Sequence, residues 1–165
     1  MIEDPEQLVR AAQGGDTLAM SQLLDQLAPY VGRICAPIAL SNGPDAAQEA
    51  LVAVFKSLRT LKDPAALFGW VRAIAIREAI RVARREQRQV AADLAELPAR
   101  DDPQLAVDIR DTLARLSPEH RALLVLRDLE GLDERDAAAL LEVPAGTAKS
   151  RLHRARESFR KAWAS

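Results

Sequence analysis

Guanidinium groups are the side chains with the most chemistry to offer here, and they fall into two sets. The first lies near the C-terminus, between Pro144 and Arg156. At helical spacing Ala148, Leu152, Ala155 and Phe159 line one face. Thr147, Ser150, Arg151, Arg154 and Ser158 fall on the opposite face. A small apolar stripe backed by short hydroxyls and guanidiniums suits a helix that packs on protein and presses into a DNA major groove. Arg151 and Arg154 can donate paired bonds to guanine edges or single bonds to phosphates. Lys149 and Arg156 lie toward the flanks, where phosphate is the nearer target. Thr147 and Ser150, close to the helix start, can approach the groove wall. His153 suits a base or phosphate contact and a plain surface position equally. The bland alternative is a solvated basic helix; the short helix and tight turn before it favour DNA.

The second set occupies residues 72–90, which carry six arginines against two glutamates. Arg77, Arg81, Arg84, Arg85 and Arg88 recur at spacings of three and four, so one helix face becomes a basic stripe fit for a strand of DNA. Arg72 opens this set. Trp70, just before it, reads two ways: a stacking wedge at a melted junction, or core, the commoner fate of Trp in an apolar stretch.

Catalysis needs convergent groups of matched chemistry. His120 and His153 are the only histidines, and the single cysteine, Cys35, leaves no Cys/His set for zinc. No phosphate-binding glycine loop, nucleophile elbow or dinucleotide fingerprint is present. Asp101 and Asp102 are adjacent but fall in a polar connector, where solvated charge is the plain reading. No enzyme activity, metal or cofactor is therefore expected. Cys35 sits among apolar residues and reads as a buried structural thiol.

The elements that must hold these groups are all helical. Apolar residues make up 48% of 165, aromatics only 4%, and strictly alternating β-branched runs are missing. Asp4-Pro5 starts a helix that should run to Gly14-Gly15. Asp16 caps a second, ending near Pro29, and a third spans Tyr30 to Leu40. Ser41-Asn42-Gly43-Pro44 is a loop by its turn residues. Asp45 opens a helix to about Leu61, with Ala47, Leu51, Val54 and Leu58 on one face. Asp63-Pro64 starts the long arginine-bearing helix. A helix from about Gln104 to Leu116 follows the connector, and Ser117-Pro118-Glu119 caps the next, which Gly131 ends. Asp133 then caps the short helix before the C-terminal one, where Pro144 suits the first position.

Charge is segregated along this order. Residues 1–50 carry seven acids and two bases, residues 91–111 six acids and two arginines, and residues 144–165 six bases and one acid. Two basic helices divided by an acidic stretch imply two contacts with a polyanion. There is no signal peptide and no long apolar span, so a cytoplasmic protein without membrane insertion is expected.

The runs Leu116 to Leu132 and Pro144 to Arg156 closely resemble the promoter-reading part of extracytoplasmic-function (group 4) sigma factors of bacterial RNA polymerase. Gln48-Glu49-Ala50-Leu51-Val52-Ala53-Val54-Phe55-Lys56 is similar to that family's core-binding helix, and Phe68 to Ala75 to the start of its promoter-melting helix. The resemblance implies two small helical domains joined by a flexible acidic linker. Residues 1–90 would bind core polymerase and hold the melted element, 91–104 would be the linker, and 105–165 a helix-turn-helix reading the upstream element. It implies core-binding roles for Asp45, Gln48, Glu49, Val52, Phe55 and Lys56, and contacts to melted DNA for Trp70, Arg72, Arg77, Arg81, Arg84 and Arg85. The partners implied are core RNA polymerase, promoter DNA and an anti-sigma factor.

Four departures stand out. Glu142 occupies the turn where the family usually has Gly, so a left-handed backbone there costs more. Asn42, Gly43, Pro44 and Asp45 replace an acidic cluster, and phosphate on Ser41, Ser57 or Thr60 would restore negative charge. Arg77 stands where Asn is usual, and Ala73 where Arg is frequent. Two rivals keep the fold and change the role: a sigma-like mimic that binds a regulator without initiating, and a helix-turn-helix repressor.

Overall fold

The computed structural model describes residues 4–94 and 109–164, and every regular element among them is helical. The order is α1 (Pro5–Gln13), α2 (Thr17–Ala39), α3 (Gly43–Ser57), α4 (Leu67–Leu94), α5 (Ile109–Ala114), α6 (Pro118–Leu124), α7 (Glu134–Leu140) and α8 (Ala145–Ala164). Short 3₁₀ turns precede α3 and α4, and a π-helical turn at Val125–Leu129 extends α6. Residues 95–108, where most of the connector and the start of the expected 104–116 helix fall, lie outside the described residues.

The capping residues act as their types dictate. Asp4, Asp16, Ser117 and Asp133 each accept a backbone N–H from the third residue after them. Asp63 accepts from Ala65 N at 3.0 Å and starts the turn leading into α4.

One expectation fails outright. The helix from Asp16 does not end near Pro29; α2 continues through both Pro29 and Pro37 to Ala39. An internal proline costs about 3 kcal/mol. Against that, Leu23, Leu27, Val31, Ile34 and Ile38 form one fully buried stripe spanning both prolines, each worth about 1.5–3 kcal/mol. The continuous stripe wins. Likewise α3 starts at Gly43 rather than Asp45 and ends at Ser57 rather than Leu61. Its buried face is Ala46, Ala50 and Val54, with Ala47 and Leu51 only partly covered. Gly43 permits this early start, since a Cβ there would lie 3.0 Å from the Ala36 Cα of α2.

Helices α1 to α4 pack around α2, and α5 to α8 form a second group around α6 and α8. The buried core is continuous from Val9 through Val82 to Leu126, Ala138 and Leu152, because α6 lies against α2 and α4. Arg121, only 3% exposed, donates from Nε to the Ile38 carbonyl of α2 at 2.8 Å and from a terminal nitrogen to the carbonyls of Leu113 and Leu116. Glu130 accepts from the Tyr30 hydroxyl at 2.9 Å and pairs with Arg72 at 3.5 Å. Burial, and next the Glu130 carboxylate, push the Tyr30 phenol up to about 12. No helix of the described residues is long and apolar enough to cross a membrane.

Candidate nucleic-acid interface

The α7–α8 pair forms as its spacing demands. Ala137 and Ala138 are buried on α7, and Ala148, Leu152 and Ala155 on α8, so the two helices meet through small side chains. Between them the chain turns at Glu142, whose φ of 56° is left-handed. Glu142 N donates to Ala139 O and Val143 N to Ala138 O, closing the end of α7. The strain expected at this Glu is thus present in the backbone. The Pro144 carbonyl accepts from Ala148 N, so Pro144 caps α8 from just outside it rather than occupying its first position.

The face of α8 opposite the core is open. Lys149, Ser150, His153 and Arg154 are exposed, and Thr147, Arg151 and Arg156 half-buried. Ser150 Oγ donates to Thr147 O at 3.0 Å. Arg156 pairs with Asp128 at 2.6 Å, so a phosphate contact would have to compete with that carboxylate. His120, at the start of α6, feels this face: burial, then the charges of Arg151 and Arg154, hold its imidazole below the usual value.

On α4 most arginines already have partners. Arg72 is tied to Glu130. Arg81 bonds Glu78 and Glu49, Arg84 bonds Glu119 of α6, and Arg85 reaches both Asp45 and Glu49 at 3.0 Å. The Arg85 hydrogen bond leads the causes that hold the Glu49 carboxyl below its ordinary range. Arg77 is exposed. Trp70 is half-buried, packed against the core. On α3, Asp45, Gln48 and Lys56 are exposed, while Val52 and Phe55 hold apolar side chains in solvent at 50% and 54% exposure. Of the hydroxyls weighed for phosphate, Ser41 donates to Glu86 at 2.9 Å, and Ser57 and Thr60 donate to nearby carbonyls.

By their positions in the sequence the two arginine sets are separate grips. The structure brings part of them together: Arg77, Arg81, Arg84 and Arg88 of α4 and Arg151 of α8 line one cleft of about 550 Å³. No local signal foretells this: α6 packs against both α4 and α8 and so brings their arginines to one cleft. The bridging roles of Tyr30, Arg121 and Glu130 were equally invisible.

Residues 106–159 match the family model described as sigma-70, region 4. Over 97% of its length the chain is 30% identical to the RNA polymerase sigma-H factor of Pseudomonas aeruginosa, covering 94% of that protein. It is 32% identical to the extracytoplasmic-function RNA polymerase sigma factor SigE of Mycolicibacterium smegmatis over 88% of the chain, and spans 63% of that relative's length. Among solved structures, CnrH in complex with the cytosolic domain of CnrY superposes with a TM-score of 0.62, at 21% identity and 96% coverage of each chain. The sigma factor RpoE in complex with the anti-sigma factor NepR, from Bartonella quintana, gives a TM-score of 0.65 at 22% identity, over 86% of this chain and 94% of that one.

Proposed function

The chain belongs to the extracytoplasmic-function sigma factors of the sigma-70 family, and from that premise we propose that it binds core RNA polymerase and directs promoter-specific initiation in the cytoplasm. The observation that carries this is the outward face of α8. Thr147, Lys149, Ser150, Arg151, His153 and Arg154 are turned away from a buried Ala148–Leu152–Ala155 stripe, as a groove-reading helix requires.

In this reading residues 105–165 read the upstream element as duplex. Residues 1–90 hold the melted element along α4, and residues 91–104 link the two. Val52 and Phe55, flanked by Gln48 and Lys56, dock on the polymerase. The chemistry of initiation belongs to the polymerase, and an anti-sigma factor is the regulatory partner. Core polymerase mixed with this chain on genomic DNA fragments tests the proposal: discrete transcripts that depend on the chain support it.

A second reading has one observation behind it. Asp45 and Glu49, the acidic groups of the core-binding helix, are already engaged by Arg85 and Arg81. A mimic that occupies a regulator without initiating would tolerate that engagement. Binding to an anti-sigma factor with no transcripts at any promoter would favour the mimic.

A further inference from the structure

The cleft between α4 and α8 gathers arginines of the two DNA-facing sets into one space, an arrangement that separate contacts with two promoter elements do not require. Five guanidiniums share about 550 Å³ with two carboxylates, Glu119 and Glu142. Arg84 is neutralised by Glu119, and Arg81 by Glu78 and Glu49. Arg77, Arg88 and Arg151 have no acidic partner among the described residues, yet they face the same space from two different helices. Like charges brought together this way repel unless an anion sits between them. A DNA duplex is far too wide to enter, whereas a volume of this order suits a small ligand. Planar guanidiniums match phosphate oxygens in pairs, and their spread over two helices calls for more than one phosphate. Leu140, Leu141 and Val143 add an apolar wall beside them.

The geometry points to a binding site for a multivalent phosphate anion of nucleotide size, held between α4 and α8. The site stands on the cleft alone and does not require the promoter reading. Inorganic tripolyphosphate and a nucleoside triphosphate share the chemistry; the apolar wall gives the nucleotide the advantage if a base is held as well.

Titration calorimetry of the full chain with each compound, in magnesium-free buffer at fixed ionic strength, tests this. Saturable binding of one anion per chain is expected. Arg88→Ala and Arg151→Ala should each weaken it about tenfold, the loss of one charge-assisted phosphate contact. Arg59→Ala, outside the cleft, should leave it unchanged, and Glu142→Gln should tighten it. Tighter binding of the nucleotide than of tripolyphosphate assigns the wall to a base, and equal binding assigns the site to the phosphate chain alone. Absence of saturation, or equal weakening by Arg59→Ala and Arg151→Ala, would overturn the proposal. Because no polymerase or promoter is present, that failure would leave the transcription reading intact, and silence in the transcription assay would leave this one intact.

Discussion

Arg121 donates from Nε to the carbonyl of Ile38, 83 residues earlier in the chain, at 2.8 Å. The bond joins α6 to the end of α2 and is buried. Burial pulls the Arg121 guanidinium below its ordinary value, yet arginine stays charged at any physiological pH. Arg121→Met should fill similar space while removing the guanidinium donor from the Ile38 and Leu116 carbonyls; the Leu113 carbonyl keeps its bond from Leu116 N. Hydrogen bonds to a charged group are worth about 1.5–3 kcal/mol each, so a net loss of roughly 3 kcal/mol is expected in urea unfolding. A loss below about 1 kcal/mol would mean that water or relaxation replaces the bonds.

Glu142 holds a left-handed φ of 56° in the α7–α8 turn. Glycine adopts that conformation without the Cβ clash. Glu142→Gly should therefore raise stability by about 1 kcal/mol, read as a higher melting temperature. An unchanged or lower value would show that the turn relaxes to accommodate Glu.

Arg154 is exposed on the outward face of α8. One lost paired contact to a base edge costs about 1–3 kcal/mol. Arg154→Ala should thus lower promoter binding tenfold or more and leave affinity for core polymerase intact. Equal loss of both affinities would show its role misplaced.

Phe55 is 54% exposed on α3. Removing it takes little from the fold, while a docked aromatic contributes on the order of 2 kcal/mol to an interface. Phe55→Ala should weaken capture by core polymerase at least tenfold, with a melting temperature within a degree or two of the parent. A large fall in melting temperature would instead assign the ring to the protein's own packing.

Cys35 is fully buried in α2, its Sγ 3.7 Å from the Ala75 carbonyl. Burial pushes the thiol up to about 12, so the reactive thiolate is scarce at pH 8. Ellman's reagent should leave the native protein untouched and react fully in urea. The raised folded value also sets a sign. The thiol's contribution to stability is complete below the unfolded value near 8.5 and is lost as pH rises through about 12. Rapid labelling of native protein would contradict this burial.

Much of this protein is written in short-range pattern. The caps at Asp4, Asp16, Asp63, Ser117 and Asp133 depend on residues two or three positions away, and the buried stripe of α8 on spacings of three and four. The strained Glu142 was legible for the same reason: turn geometry is local. Three things were decided only by tertiary packing. Helix α2 runs through Pro29 and Pro37 because neighbouring helices bury the stripe on both sides of each proline. The engaged state of several arginines depends on partners far along the chain, as with Arg84 and Glu119 or Arg72 and Glu130. The cleft that Arg151 shares with Arg77 and Arg88 exists because α6 packs against α2 and α4. Local spacing fixes which face of a helix a side chain occupies; only the closed core fixes what that face meets.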